Sequence, residues 1–257
     1  MLFRSFFHNN PLDMAGSKSL KEREYIIKNT KAIMCVSKFV RDKFLTDFKS
    51  IPSNIHVLYN GVDRKNVEFP KKINEVLFVG RLVKEKGVEL YINAVAKLAT
   101  NVPNWKFCIV GSSHLGVIKE KSDFAKKITE KFLNIGDQAY FTGYLSHEEV
   151  QKKMAKASIV VVPSIWEEPF GLVVAEAMSN GAAIITTLSG GIPEIVRSNG
   201  ILIKNINQKK IEDALFMLLK NKKELNKYQQ LSWKNFKHTS LKSSTKLDKI
   251  RSRILIN

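Results

Sequence analysis

The stretch Glu75–Ala99, EVLFVGRLVKEKGVELYINAVAKLA, decides the fold of this chain. Four of its first five residues, Val76–Val79, are apolar and rich in branched side chains, and Gly80 follows them, which is typical of a buried strand. The next apolar positions recur at spacings of three and four, at Val88, Tyr91, Ile92, Val95, Leu98 and Ala99. Such a stripe predicts a helix packed on a sheet. The stretch is therefore a strand–loop–helix unit.

Similar units fill the chain on the carboxyl side of this stretch. Five more short apolar runs predict buried strands, at Lys106–Val110, Ala139–Phe141, Ile159–Val162, Ala183–Thr186 and Ile201–Ile203. Amphipathic segments separate them, and right-handed strand–helix–strand units build a parallel sheet that helices cover on both faces. We therefore predict an α/β fold with a doubly wound, Rossmann-like domain over residues 64–230.

Residues 1–63 show the same alternation of predicted strands and helices, but with too few strands for a complete domain. A helix at Leu20–Asn29 leads to a strand at Ala32–Val36, and a helix running to about Phe48 leads to a strand at Ile55–Tyr59. Two strands do not make an independent sheet. We expect a partial second Rossmann-like domain whose apolar strand faces lie open to water, followed by a turn at Asn60–Asp63. Lys-rich helices are expected at the carboxyl end, over residues 231–257.

The charge is large and unevenly placed. The 257 residues carry a net charge of +18, and residues 201–257 alone have 14 basic against 4 acidic side chains. This excess is typical either of a solvated lysine-rich surface or of attraction to an anionic inner-leaflet membrane. No nucleic-acid partner is expected, because the basic run has no interleaved aromatics and no reading motif. Only Cys35 and Cys108 are present, and no apolar run is long enough to span a bilayer, so we predict a cytoplasmic protein.

The strongest chemical signal is Glu167–Ala177, EEPFGLVVAEA. Phe170 and Gly171 would place bare backbone amides at a helix N-terminus after a parallel strand, where phosphates bind. Glu168 and Glu176 lie eight residues apart, which suits two pairs of sugar hydroxyls with a diphosphate between them. Taken singly, each glutamate is more typical of a helix-start or surface acid, and only the pair at this spacing together with Pro169–Gly171 favours ligand binding.

A second signal, Gly80–Gly87, follows the first strand directly. Gly80 lets a ligand approach the backbone, and Arg81 and Lys86 could clamp a diphosphate, Arg81 bidentately. Alone, this segment is also typical of a solvated loop. The chain has neither a Gly-x-Gly-x-x-Gly fingerprint nor a P-loop.

Together these stretches resemble the retaining GT-B glycosyltransferases of family four. The second of them matches that family from Phe78 to Gly87, and three further stretches match it as well: Ala32–Ser37, Asn60–Asp63 and Gly190–Val196. The segment Phe7–Pro11, FHNNP, is most similar to the bacterial cell-envelope or lipopolysaccharide type. The resemblance implies a nucleoside-diphosphate sugar as co-substrate, no cofactor, a glycan or lipid-linked acceptor, and front-face displacement in which the leaving phosphate takes the acceptor's proton.

The resemblance also implies a role for individual residues. The catalytic set would be His8, Arg81, Lys86 and Glu168; the donor-binding set would be Gly80, Arg81, Lys86, Glu168, Phe170, Gly171, Leu172 and Glu176. The two cations would neutralise the leaving diphosphate, Glu168 would hold the donor sugar, and Glu176 the ribose. No metal is expected, because Asp-x-Asp is absent and cations and helix amides can replace it.

The amino terminus departs from the family pattern. Family members begin with a full Rossmann-like domain, whereas this chain opens at the strand before His8. We therefore expect a fragment, or a chain whose partner supplies the missing domain, and the alternative function is a non-catalytic nucleotide-sugar-binding subunit. A second alternative, a nucleotide-sugar epimerase, would need a Tyr-x3-Lys pair, but Val95 follows Tyr91 and Ser232 follows Tyr228 at that spacing.

Overall fold

A computed structural model describes residues 2–112 and 122–256, which form two parallel sheets flanked by helices. The elements of the smaller sheet region are β1 (Leu2–Phe7), α1 (Leu20–Asn29), β2 (Thr30–Cys35), α2 (Lys38–Phe44) and β3 (Ile55–Val57). The strands of the larger sheet are β4 (Ile73–Val79), β5 (Lys106–Val110), β6 (Ala139–Gly143), β7 (Ala157–Val162), β8 (Ala183–Thr187) and β9 (Ile201–Ile203). Its helices are α3 (Val88–Leu98), α4 (Asp123–Leu133), α5 (His147–Lys156), α6 (Leu172–Ser179), α7 (Ile192–Val196), α8 (Gln208–Lys220) and α9 (Lys222–Asn235), and α10 (Ser240–Ile256) ends the chain.

The larger sheet has the order β6-β5-β4-β7-β8-β9, with every neighbouring pair parallel. This is the order of two mononucleotide-binding halves, and the chain reverses direction across the sheet between β4 and β7. In doubly wound sheets a ligand binds outside the carboxyl ends of the strands at that switch point. The predicted fold class is confirmed, and the six predicted strands are present with ends that differ by at most two residues.

The core lies on both faces of the larger sheet. All six residues of β7 are buried, as expected for a strand that helices cover on both sides. On one face, Val76 and Phe78 pack with Tyr91 of α3. On the other, Leu77 and Val160 pack with α6 and with the small sheet. The two sheets therefore share a continuous apolar cluster.

The small sheet corrects the expectation of open strand faces. It has three parallel strands with β2 in the middle, and the exposed fraction of Ala32, Ile33, Met34 and Cys35 is at most 2%. One face packs on α2, and the other packs on α10 through Ile250. The expectation was wrong because the covering helix comes from the far end of the chain.

Two predicted boundaries in this region were also wrong. The helix expected to reach Phe48 ends at Phe44, because the chain turns there and Asp47 adopts a φ of +72°. The strand expected to reach Tyr59 ends at Val57. After Val57 the chain leaves the small sheet and continues toward β4.

The chain crosses between the two sheet regions twice, once near Val62 and once near His238, and these two segments contact each other. The Val62 amide donates to the carbonyl of His238 (2.8 Å), and the Ser240 amide donates to Asp63 Oδ1 (3.2 Å). A Cβ at Gly61 would lie 2.4 Å from the Cα of Ser240, so glycine is required there. Among the described residues, no helix combines the length and the apolar character needed to cross a membrane.

Candidate functional site

The first cavity, of about 380 Å³, lies at the switch point of the larger sheet and faces the carboxyl ends of the small sheet. The small sheet contributes His8 and Asn9 after β1 and Asn60 after β3. The rest of the lining follows or belongs to β4, β7 and α6: Val79, Gly80, Lys86, Val162, Glu168, Pro169, Phe170, Gly171, Leu172 and Val173. Seven of the nine residues predicted from sequence therefore line one cavity.

The loop before α6 is held from both sides. Ser37 Oγ donates to the carbonyl of Pro169 (2.5 Å), and the Gly191 amide donates to the carbonyl of Glu168 (2.7 Å). Gly171 begins α6 with a φ of +94°, and a Cβ there would lie 2.9 Å from Ile192. The loop is therefore fixed by backbone geometry that only glycine adopts easily.

The first amides of α6 are bare, as predicted. Among the described residues, none accepts a hydrogen bond from the amides of Phe170, Gly171 or Leu172, and no side chain caps the helix. Unpaired amides and the helix dipole together attract an anion.

Lys86 and Glu168 form an ion pair inside the first cavity. Lys86 Nζ lies 2.5 Å from Glu168 Oε1, and Ser164 Oγ donates to the same oxygen (2.9 Å). The side chains are 25% and 14% exposed, so both are largely shielded from water. Among the described residues, none donates to Glu168 Oε2, so this oxygen can accept from a ligand.

Arg81 lines a second, adjoining cavity of about 500 Å³. The two cavities share Asn9, Lys86, Glu168 and Pro169. Arg81 is exposed and lies, like Lys86, on the segment between β4 and α3.

His8 is an exposed residue that directly follows β1. Its ring stacks on Phe6, with ring centres 6.1 Å apart and planes 11° apart. This contact orients the imidazole at the mouth of the first cavity.

Glu176 does not join the other predicted residues. It lies inside α6, outside the linings of both cavities, with its side chain 15% exposed. Burial raises the pKa of the carboxyl, and the nearby His147, whose Nδ1 lies 3.6 Å away, opposes that rise. The carboxylate is therefore near a second potential hydrogen-bonding group that sequence reasoning did not single out.

Glu194 is a further residue whose role the sequence did not show. Its carboxylate accepts from the amides of Lys38 (2.9 Å) and Phe39 (2.8 Å) and from the hydroxyl of Tyr59 (2.8 Å). Burial and the bond to Glu194 raise the pKa of Tyr59. Glu194, in the larger sheet region, thus caps α2 of the small one. The sequence feature that could have indicated this role is the acidic residue directly after Gly190–Pro193.

Within the described residues, no group of three or more His, Cys, Asp or Glu side chains is arranged to hold a metal ion.

Comparison with known proteins gives the family. Residues 61–234 match the family model for glycosyl transferases group 1. The chain belongs to this family. All the predicted site residues of this glycosyltransferase-family chain except His8 lie within the matched range.

Two curated relatives of the glycosyltransferase chain are longer than it is. An uncharacterized glycosyltransferase of Methanocaldococcus jannaschii is 27% identical over 247 residues, covering 85% of this chain and 61% of the relative. The lipopolysaccharide 1,2-N-acetylglucosaminetransferase of Salmonella typhimurium is 27% identical over 184 residues, covering 67% and 48%. The chain therefore spans about half to three fifths of these curated relatives.

A solved structure supports the fold. The crystal structure of Anabaena HepE with UDP and glucose superposes with a TM-score of 0.80 at 17% identity, covering 98% of this chain and 71% of that one. The predicted GT-B fold with Rossmann-like domains is confirmed by this likeness and by the sheet order.

Proposed function

We propose that the chain transfers a sugar from a nucleoside-diphosphate sugar to a glycan or lipid-linked acceptor with retention at the anomeric carbon. One observation carries the proposal. The cavity at the switch point brings together the Lys86–Glu168 pair and the bare amides of Gly171 and Leu172. A cation and a helix N-terminus bind phosphate, and a carboxylate binds sugar hydroxyls, so the cavity offers both halves of such a donor.

The diphosphate would lie against the start of α6. The amides of Phe170, Gly171 and Leu172 would donate to its oxygens, and Lys86 and Arg81 would add positive charge from the opposite loop. In the transfer step the bond from the anomeric carbon to the phosphate oxygen breaks and the acceptor oxygen bonds to that carbon on the same face. The acceptor's proton passes to the departing phosphate oxygen. Fixed cations and amides stabilise the negative charge that develops there, without a metal.

The donor sugar would lie between Glu168 and His8. Glu168 Oε2 is available for sugar hydroxyls, while its Oε1 keeps the bonds to Lys86 and Ser164. His8 would approach the reacting carbon from the small sheet. Glu176, together with His147, would bind the ribose on the far side of α6.

Four further features are proposals of the same kind. Residues 64–230 would be the nucleotide-sugar domain, residues 1–63 the remnant of an acceptor domain, and residues 231–257 helices joining the two. UDP is the preferred nucleotide, because the crystal structure of the similar HepE protein contains UDP and glucose. An envelope role is supported by the likeness to the Salmonella lipopolysaccharide enzyme. The basic carboxyl end would hold this cytoplasmic protein on the anionic inner face of the membrane.

The second candidate is a nucleotide-sugar-binding subunit without activity of its own. It rests on the same donor half of the site, because the Lys86–Glu168 pair and the bare amides of Gly171 and Leu172 can bind a nucleotide sugar without transferring it. In that case a partner chain would supply the remaining acceptor contacts.

A thermal-shift panel of UDP, GDP, ADP and their sugars tests donor binding. A ligand present at 100 times its dissociation constant stabilises the folded state by about 2.7 kcal/mol. Incubation of the best donor with lipid-linked or glycan acceptors, followed by NMR of the anomeric proton, tests transfer and retention. Donor binding without transfer would favour the subunit, and no stabilisation by any nucleotide would contradict both candidates.

A further inference from the structure

The second cavity has an aromatic wall that the proposed donor does not use. We propose that Trp166 and Asn9 form an acceptor subsite, in which a neutral sugar ring stacks on the indole of Trp166. This inference rests on the glycosyltransferase function proposed above, because it places the acceptor beside the donor sugar.

The exposure of Trp166 sets it apart. The chain has three tryptophans, and Trp105 and Trp233 are 7% and 9% exposed, as expected for core residues. Trp166 is 42% exposed and lines the second cavity. Leaving so large an apolar surface in water is costly, and a ligand that covers it recovers that cost.

The backbone that carries Trp166 is fixed to the opposite loop. The carbonyl of Glu85 accepts from the amides of Ile165 (2.9 Å) and Trp166 (3.2 Å). Two amide donors on one carbonyl join the loop after β4 to the loop after β7. The base of the Trp166 side chain is therefore anchored, which reduces the conformational entropy that a ligand must overcome.

The remaining lining fits a neutral, hydroxyl-rich ligand. The lining includes two basic residues, Arg81 and Lys86, and two acidic ones, Glu85 and Glu168, so their formal charges cancel and leave no excess to attract a further phosphate. Asn9 adds an amide that both donates and accepts. Sugars present C–H faces to aromatic rings and hydroxyls to polar side chains, which is the combination found here.

The position of the cavity is that of an acceptor. It shares Lys86 and Glu168 with the first cavity, so a ring on Trp166 would adjoin the donor sugar held by Glu168. Asn9 belongs to the small sheet and Trp166 to the larger one, so the subsite bridges both.

The experiment uses the 257-residue chain saturated with UDP and titrated with maltose, cellobiose, lactose and chitobiose. Trp166 emission should shift to the blue and become protected from acrylamide with at least one disaccharide. Calorimetry of the same disaccharide should show at least tenfold weaker binding to Trp166→Ala and partial recovery in Trp166→Phe. The control is Ile165→Ala, because Ile165 is 59% exposed, adjoins Trp166 and lies outside both cavity linings; it should bind the disaccharide like the wild type.

The thermal shift with UDP separates the two proposals. The shift should be equal in the wild type, Trp166→Ala, Trp166→Phe and Ile165→Ala, because Trp166 lies outside the lining of the first cavity. UDP binding in the wild type without binding of any disaccharide, or equal disaccharide affinity in Trp166→Ala, would overturn the acceptor subsite alone. No UDP binding in the wild type would contradict the proposed function instead, and the disaccharide titration would still decide the Trp166 site.

Discussion

The three hydrogen bonds that Glu194 accepts from the small sheet region give a prediction whose size follows from the structure. Glu194 lies in α7, and its carboxylate accepts two amides at the start of α2 and the hydroxyl of Tyr59. Glu194→Ala removes the acceptor for all three donors at once. The Lys38 amide is exposed, so water replaces that partner, but the Phe39 amide and the Tyr59 hydroxyl are partly buried.

A hydrogen bond to a charged group contributes about 1.5–3 kcal/mol, and a partly buried donor left unpaired loses much of that. We therefore expect Glu194→Ala to lower the free energy of unfolding by about 2–3 kcal/mol. For a chain of this length each kcal/mol corresponds to about 2–4 °C, so the melting temperature should fall by about 4–12 °C.

Urea denaturation followed by circular dichroism measures the change, and hydrogen exchange locates it. Protection should fall first at the start of α2. Glu194→Gln keeps an acceptor oxygen without the charge and should fall between the two. The matched control is Glu148→Ala, because Glu148 is exposed and pairs only with Lys152 among the described residues, a solvent-screened contact whose loss should leave the free energy of unfolding nearly unchanged. If Glu194→Ala lowers the free energy of unfolding by less than about 0.5 kcal/mol, the stabilising role of these hydrogen bonds is refuted.

Three other predictions concern the ligand site. Burial raises the pKa of Glu176 above 4.5, so the folded state binds more protons just above that pH and stability falls as pH rises. Glu176→Gln should remove this dependence of the free energy of unfolding on pH, as measured by urea titrations, and raise stability at pH 7. The same variant should weaken UDP binding. An unchanged pH dependence would contradict the role of Glu176. Arg81→Ala should weaken UDP binding about tenfold or more by calorimetry, and wild-type affinity in the folded variant would contradict its role. EDTA should leave donor affinity unchanged, whereas a loss that Mg²⁺ restores would count against a metal-free site.

The fold of the larger sheet was predictable because local pattern determines it. The apolar runs of β4 and β7 and the stripe of α3 each show their period within a few residues. Right-handed crossovers then leave few ways to order such strands. The positions of the cationic loop after β4 and of the bare amides after β7 followed from the same logic, because the strand order places both loops at one edge of the sheet.

The packing of α10 was not predictable in the same way. Leu247, Ile250 and Ile254 follow helical spacing, which indicates an apolar stripe but not the surface that it covers. That surface is β2, about two hundred residues earlier in the chain. The expectation of exposed strands failed for this reason.

The internal arrangement of the site also depends on long-range contacts. The sequence analysis assigned Lys86 to the diphosphate and Glu168 to the sugar of one donor, but did not predict that these two residues, 82 positions apart in the chain, form an ion pair. Glu168 precedes α6, so no helical period relates it to Glu176, and the two carboxylates lie in different surroundings. The acid at Glu194 belongs to a recognised motif, but its partners on α2 are known only from the tertiary structure.

The measurement that tests the central claim most directly is calorimetric titration of UDP-glucose and UDP into the chain and two lysine variants. Lys86 lies in the first cavity, whereas Lys84, on the same loop, lies outside both linings with its ammonium 6.0 Å from the centre of the Phe124 ring. The account predicts saturable binding to the wild type and to Lys84→Gln, and at least tenfold weaker binding to Lys86→Gln. Equal affinity in all three proteins, or no binding to the wild type, would contradict it.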